Sequence, residues 1–328
     1  MKHIIIGTRA SKLAMIQTRW VVERLKQQEP ELEIVIKQIH TTGDAITHVP
    51  LTQIGGDGVF VMEIERALLQ RNIDLAVHSL KDLPTTQPEG LCVFAVGGRE
   101  DARDVLVVNG QSDLGSLVDS GRPKSKRIGT CSLRRSAQIR ALFPEVEILP
   151  LRGNVDTRLK KLDAGGYDGI VLAAAGLHRL GKHEQLADRM NYLPIEVMMP
   201  APGQGALGLE LRDEPEVQML IAPLRNVVTQ ATTGAERMFM HWLGAGCYLP
   251  VAAYGENAGE ELILKGLVIS LDGQQQVRVQ GSVPWTPETQ FEHAEQLGVQ
   301  LANQALAKGA AEIIKTMDEI RIRERQNA

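Results

Sequence analysis

Short apolar runs alternate with amphipathic stretches along most of the chain, and this alternation limits the fold more than any other feature. HIIIGT (3–8), LEIVIKQI (32–39), IDLAVHSL (73–80) and LCVFAVGG (91–98) read as strands. Between them lie stretches of helical spacing: Leu13, Ile16, Trp20 and Val21 on one face behind a capping Ser11, and then VFVMEIERALLQR (59–71). The grammar repeats from Arg103. DVLVV (104–108), KRIGT (126–130), VEILPL (146–151) and YDGIVLAA (167–174) are strands, with the helices SLRRSAQIRALF (132–143) and NVDTRLKKLDA (154–164) between them. Strands alternating with helices require parallel or mixed sheets covered on both faces.

A Pro/Gly segment, MMPAPGQG (198–205), leads into one more strand, ALGLELR (206–212), placed to return to the first sheet. The helix TTGAERMFMHWL (232–243) follows. After Pro250 come the antiparallel-type strands ELILKGLVIS (261–270) and QQQVRVQGSV (274–283), then a long closing helix from about residue 286 with a turn near Lys308-Gly309. The expected architecture is α/β, with two lobes of mixed sheet (1–99 plus 200–220, and 100–199) and a small α+β unit (221–328). Two lobes joined by crossings resemble a binding protein with a ligand cleft.

Composition narrows the partners. With 43% apolar and 23% charged residues the chain buries real cores, and a net charge of −4 argues against a nucleic-acid coat. Aromatics make up 4% and form no stacking stripe. The opening MKHIIIGTRAS is too short in apolar residues for an export signal, and no run is long enough to span a membrane, so a cytoplasmic setting is expected. Three cysteines make no disulfide framework, and no CxxC or HExxH suggests a metal.

Arginines gather where such sheets bind ligands, at or just past the carboxyl ends of strands: Arg9, Arg134, Arg135, Arg152, Arg158 and Arg179. Guanidinium forks match carboxylates, so the pattern points to a cleft for a small polyanion, against solvated helix faces. In VHSLKDLP (77–84), Asp82 beside Lys81 reads either as a turn cap or as one buried carboxylate in a cationic cleft. Cys92 reads as core. Cys131, at a helix start beside two arginines, is by local electrostatics a better reactive candidate than Cys247, which follows Gly-Ala-Gly in HWLGAGCYLP (241–250).

Several motifs occur together and in order: GTRASKLAMIQT, TTGD, IGGDGVF, VHSLKDLP, GTCSLRRSAQ, LRGNVDTRLKKLD, VLAAAGLHRLG, PAPGQGALGLE, AER and GAGCYLPVA. The ordered set resembles the porphobilinogen deaminase (hydroxymethylbilane synthase) family from about Ile5 to Val251. The resemblance implies two lobes like type II periplasmic binding proteins and a third, smaller domain. It implies a transferase that joins four porphobilinogen molecules head to tail, with loss of ammonia, into linear hydroxymethylbilane for haem and other tetrapyrroles. It also implies a dipyrromethane cofactor, made from substrate and attached through a thioether.

Carried over residue by residue, the attachment cysteine falls on Cys247 and the catalytic aspartate on Asp82. Cofactor contacts fall on Lys81, Thr130, Ser132, Arg134, Arg135 and Arg158, with Asp82. Substrate contacts fall on Arg9, Ser11, Gln17, Phe60, Arg152 and Arg179. The implied partners are porphobilinogen and, for hand-over of product, uroporphyrinogen III synthase, with no nucleic acid or membrane; the implied state is a monomer. The chain departs from the family pattern at Asp57 and Gln53, where lysines are common, and at Cys131, commonly serine. Two other readings remain: a non-enzymatic two-lobed binder of a polycarboxylate, and a deaminase paralogue whose lid is altered by Asp57.

Overall fold

The structure, a computed structural model, describes residues 2–45, 61–110, 126–244, 249–289 and 291–326. Its first lobe opens with β1 (His3–Thr8), α1 (Lys12–Gln28), β2 (Glu33–Gln38) and a single turn α2 (Thr42–Ala45), followed by α3 (Met62–Leu69), β3 (Leu75–Ser79) and β4 (Leu91–Val96). Ser11 caps α1 as expected, its Oγ accepting the Ala14 N–H at 3.3 Å. The second lobe holds β5 (Asp104–Val108), β6 (Arg127–Gly129), α4 (Leu133–Leu142), β7 (Glu147–Leu149), α5 (Val155–Asp163), β8 (Gly169–Ala173), α6 (Ala174–Arg179) and β9 (Met190–Tyr192). The remainder is β10 (Leu207–Arg212), α7 (Pro215–Ile221), α8 (Val227–Trp242), β11 (Val251–Asn257), β12 (Glu261–Ile269), β13 (Gln276–Pro284), α9 (Phe291–Ala305) and α10 (Ala311–Gln326).

The two lobes share one wiring. Sheet order is β2-β1-β3-β10-β4 in the first and β7-β6-β8-β5-β9 in the second. In each, the first three strands are parallel and the fourth, β10 or β5, runs antiparallel to both its neighbours. The chain therefore crosses between lobes twice, through 97–103 and 193–206, and ALGLELR does return to the first sheet. This is the periplasmic-binding-protein-like, type II arrangement. Apolar residues on the strands close each core: Ile4, Ile6, Leu75, Leu209 and Leu211 pack with Val21 and Leu25 of α1, and Val105, Val107, Ile170 and Leu172 with Leu159 and Leu162 of α5.

The third unit has a strand that sequence pattern does not show. VAAYGEN forms β11 beside β12, giving a three-stranded antiparallel sheet. Its small residues disguise it, and they are there for packing: a Cβ on Gly255 would meet the Thr232 carbonyl of α8 at 2.7 Å. The edge strand β9 is short enough to escape notice. The closing helix is two helices, broken at Gly309, whose φ of 105° no helix accommodates. Among the described residues, no helix is long and apolar enough to cross a membrane.

Candidate active site

At the carboxyl end of β3 the chain makes one 3-10 turn, Leu80–Asp82. Leu80 and Leu83 are buried on either side of it, and the Leu80 N–H donates to Ala206 O at 3.0 Å. From α8, the Arg237 guanidinium donates to the carbonyls of Leu83 (3.2 Å) and Pro84 (2.7 Å). The turn is thus held from both flanks. Among the described residues the Asp82 carboxylate accepts no hydrogen bond, from its own turn or elsewhere, so the turn-cap reading finds no support. Asp82 lines a cavity of about 60 Å³ with Arg9, Ser11, Gln17, His78 and Ser79, and Gln17 Nε2 donates to Ser79 Oγ at 2.9 Å.

The expectation of a buried carboxylate at Asp82 needs correcting: Asp82 is exposed, and the carboxylate buried among arginines is Asp104, at the start of β5. Arg134 Nη2 donates to its Oδ2 at 2.8 Å and Arg135 Nη2 to its Oδ1 at 2.7 Å. Both arginines belong to α4, which Ser132 caps and whose approach Thr130 steadies by accepting the Ser132 N–H at 3.1 Å. Gln204, in the second crossing, donates to Asp104 Oδ1 (2.8 Å) and accepts from Lys81 Nζ (3.1 Å). A continuous hydrogen-bonded chain therefore runs from the Asp82 turn, through a crossing, into the second lobe.

Electrostatics follow from that packing. Burial alone would raise the Asp104 pKa; Arg134, Arg135 and Lys81 overcome it and hold the carboxyl below the usual range. Lys81 is pushed down to about 8, by burial first and then by Arg135 and Arg134, against the pull of Asp82 and Asp104. Arg158, whose Nε donates to Gly153 O at 2.7 Å, is lowered by burial and by Arg135 and Arg152, and feels the charge of Asp82. Arg179 stands apart at the crossings: it donates to Gly205 O at 2.7 Å, and burial lowers it to about 10 with Glu100 opposing. Cys131 is half-buried near Arg158, and Cys92 is half-buried too, its thiol pushed up to about 11 by burial and by Asp213. Cys247, Phe60, Asp57 and Gln53 lie outside the described residues.

The sequence pattern missed Asp104, Gln204 and the joint around Glu236. Fully buried on α8, Glu236 accepts from Arg99 (2.6 and 3.1 Å), Gly203 N (2.7 Å) and Gly255 N (2.6 Å). It ties both crossings to the third unit, and the next residue, Arg237, grips the Asp82 turn. The available signal was a lone acidic residue inside an otherwise apolar or helical run, which is weak evidence until its partner is known.

Comparison with known proteins bears on this arrangement directly. Residues 4–219 match the family described as porphobilinogen deaminase, dipyromethane cofactor binding domain, and residues 231–307 match porphobilinogen deaminase, C-terminal domain. The porphobilinogen deaminases of Geotalea uraniireducens and Desulforudis audaxviator are 43% and 44% identical to it, over 96% and 95% of this chain and 94% and 97% of theirs. The chain belongs to the porphobilinogen deaminase family. Among solved structures, the periplasmic aliphatic sulphonate binding protein SsuA from Escherichia coli is similar over 74% of this chain and 70% of its own, at 14% identity and a TM-score of 0.39. That likeness is too slight to add to the topology above.

The residues present fit the dipyrromethane of a porphobilinogen deaminase, a group bearing several carboxylates. Lys81, Arg134, Arg135 and Arg158 outnumber the anions Asp82 and Asp104 in one another's field. The Nε of Arg135 is buried without a hydrogen-bond partner among the described residues, a donor that such a carboxylate would satisfy.

Proposed function

We propose that this chain works as a hydroxymethylbilane synthase, joining four porphobilinogen molecules head to tail on a dipyrromethane held through Cys247 and releasing the linear product by hydrolysis. One observation carries the reading: an uncommitted carboxylate, Asp82, stands beside a surplus of guanidinium and ammonium groups that spans the two lobes. When bound, the dipyrromethane supplies the free pyrrole carbon at which the chain is extended. The protein's own residues do the rest.

Lys81, Thr130, Ser132, Arg134, Arg135 and Arg158 hold the acetates and propionates of the bound rings. Arg9, Ser11, Gln17, Arg152 and Arg179 receive those of the incoming substrate, and Phe60 lines the site. Each charge-assisted hydrogen bond contributes about 1.5–3 kcal/mol net, so a handful retains a growing polyanion. Asp82 faces the opposite demand. As ammonia leaves, positive charge develops on pyrrole nitrogen, and a fixed carboxylate stabilises it where a guanidinium would repel. Because Arg237 and the Ala206 carbonyl fix the turn, that carboxylate is in place before the charge appears.

The domain division 1–99 plus 200–220, 100–199 and 221–328 goes with this reading, supported by β10 pairing in the first sheet. So do a cytoplasmic monomer and hand-over of product to uroporphyrinogen III synthase. The test is intact mass together with product assay. Purified protein should exceed its sequence mass by two porphobilinogen-derived rings, C247A should lose that increment, and wild type should turn porphobilinogen into hydroxymethylbilane. Bare sequence mass after incubation with porphobilinogen would sink the proposal and leave a simple polycarboxylate binder.

A further inference from the structure

A second cavity, of about 340 Å³, lies where the first lobe meets the third unit, and it shares no residue with the cofactor and substrate contacts named above. Its size falls within the roughly 300–1,000 Å³ of small-molecule sites. One wall is Thr85–Gln87, the stretch leaving the Asp82 turn, together with Leu80 and, from β4, Val93 and Ala95. The opposite wall is one face of α8, where helical spacing aligns Gln230, Thr233, Arg237, Met238 and His241. Phe291 and Glu295 of α9, four residues apart and so on one side of their helix, close the end. A Cβ on Gly234 would collide with the Phe291 ring, so the glycine is what lets that ring lie against α8.

The amide and guanidinium groups on these walls are engaged with the protein. Gln230 Oε1 accepts the Ala95 N–H, Gln87 Nε2 donates to Pro84 O at 2.7 Å, and Arg237 grips the Leu83 and Pro84 carbonyls. Thr233 Oγ1 donates to Thr229 O at 2.6 Å, and His241 Nδ1 lies 3.4 Å from the hydroxyls of Thr85 and Thr86. Glu295 differs. Half-buried, it has neither a hydrogen bond nor an ion pair among the described residues, and burial, followed by the Glu292 charge one turn before it, raises its pKa. A partly desolvated carboxylate without a partner, beside Phe291, Met238 and Leu80, favours a cation that brings its own apolar body.

We propose that this cavity binds a small arylalkyl ammonium, with its ring among Leu80, Met238 and Phe291 and its charge on Glu295. The inference does not depend on the deaminase reading. Thioether sulfur and the Phe291 ring are both favourable neighbours for an aromatic group. A neutral ligand of the same shape leaves the Glu295 charge uncompensated. An anionic one meets that charge directly and finds the Arg237 fork already turned to two carbonyls.

The probe is 2-phenylethylamine, with 2-phenylethanol and phenylacetate as its neutral and anionic counterparts. Each is titrated into holoenzyme of wild type and E295Q carrying 13C-labelled methionine methyls. The amine should bind wild type saturably and move the Met238 methyl signal, which M238L identifies by its loss. The Met199 signal should stay, since Met199 packs in a separate core with Ala137 and Leu267. Affinity should be about tenfold or more lower for the alcohol, and for the amine in E295Q, as expected for loss of a hydrogen bond to a charged group. Phenylacetate should not move the Met238 signal. Absence of saturable binding, an unmoved Met238 signal, or binding of phenylacetate at this signal would each overturn the proposal. So would equal affinity for amine and alcohol, or for the amine in wild type and a folded E295Q. The amine–alcohol comparison is made on wild type and decides the matter even if E295Q does not fold.

Discussion

Asp104→Asn strikes the centre of the cationic cluster, and the structure sets the size of its effect. Asp104 is 0% exposed at the side chain, and the Arg134 and Arg135 side chains are 6% and 7% exposed. Three donors converge on the carboxylate at 2.7–2.8 Å, from Arg134, Arg135 and Gln204. Asparagine keeps one oxygen but turns the other into an amide NH2, a donor facing a donor. At least one charge-assisted bond is lost, and two buried like charges lose their neutralising partner. Removing one member of a buried ionic set costs about 3–5 kcal/mol. With a urea slope of ~3 kcal/mol/M, the unfolding midpoint of the holoenzyme should fall by about 1–1.7 M. The acid response should change as well. Since the folded carboxyl sits below its unfolded value, its stabilisation is complete above about pH 3.9 and is lost as pH falls below that. That part of the acid sensitivity should vanish in D104N. A midpoint within about 0.3 M of wild type, or an unchanged acid slope, would refute the idea that Asp104 holds the two arginines.

Two further outcomes follow from the same geometry. With Lys81 lowered to about 8, its charge is present below that pH and fades above it, so kcat/KM for porphobilinogen should decline on the basic side. Bound carboxylates favour the charged amine, so the limb should fall at or above about 8 in holoenzyme, and K81R should remove it; a limb unchanged in K81R would count against the role. R237A removes both donors that grip the Leu83 and Pro84 carbonyls, so kcat should fall about tenfold or more while intact mass still shows the bound rings. Undiminished kcat there would mean that the turn needs no clamp.

Much of the fold was legible because its strands carry long apolar runs, and the return of β10 was readable from the strand character of ALGLELR after the second lobe's grammar had ended. β11 was not, because its run of small residues, with Gly255 demanded by closeness to α8, stands where a strand ordinarily advertises itself with branched residues. The site divides along a similar line. Arginines at strand ends mark themselves by position, so the cationic cleft could be anticipated. Which carboxylate meets which arginine depends on sheet closure: Asp104 and Arg134 are 30 residues apart, and the order β8-β5 brings the first beside the helix carrying the second.

That closure changes what the arginines are. Arg134 and Arg135 are not loose side chains awaiting an anion; Asp104, Met199 O and Val171 O already fix their forks. Under the proposed function, ligand carboxylates then meet guanidiniums whose rotamers are set, and the ordering cost of about 0.5–1.5 kcal/mol for each long side chain falls on folding and not on binding. One carboxylate cannot neutralise two guanidiniums, so a positive surplus remains for the ligand. Asp104 thus trades a fraction of the cleft's charge for its geometry, and under the proposed function Asp82, whose carboxylate accepts no hydrogen bond among the described residues, is the one left for the chemistry.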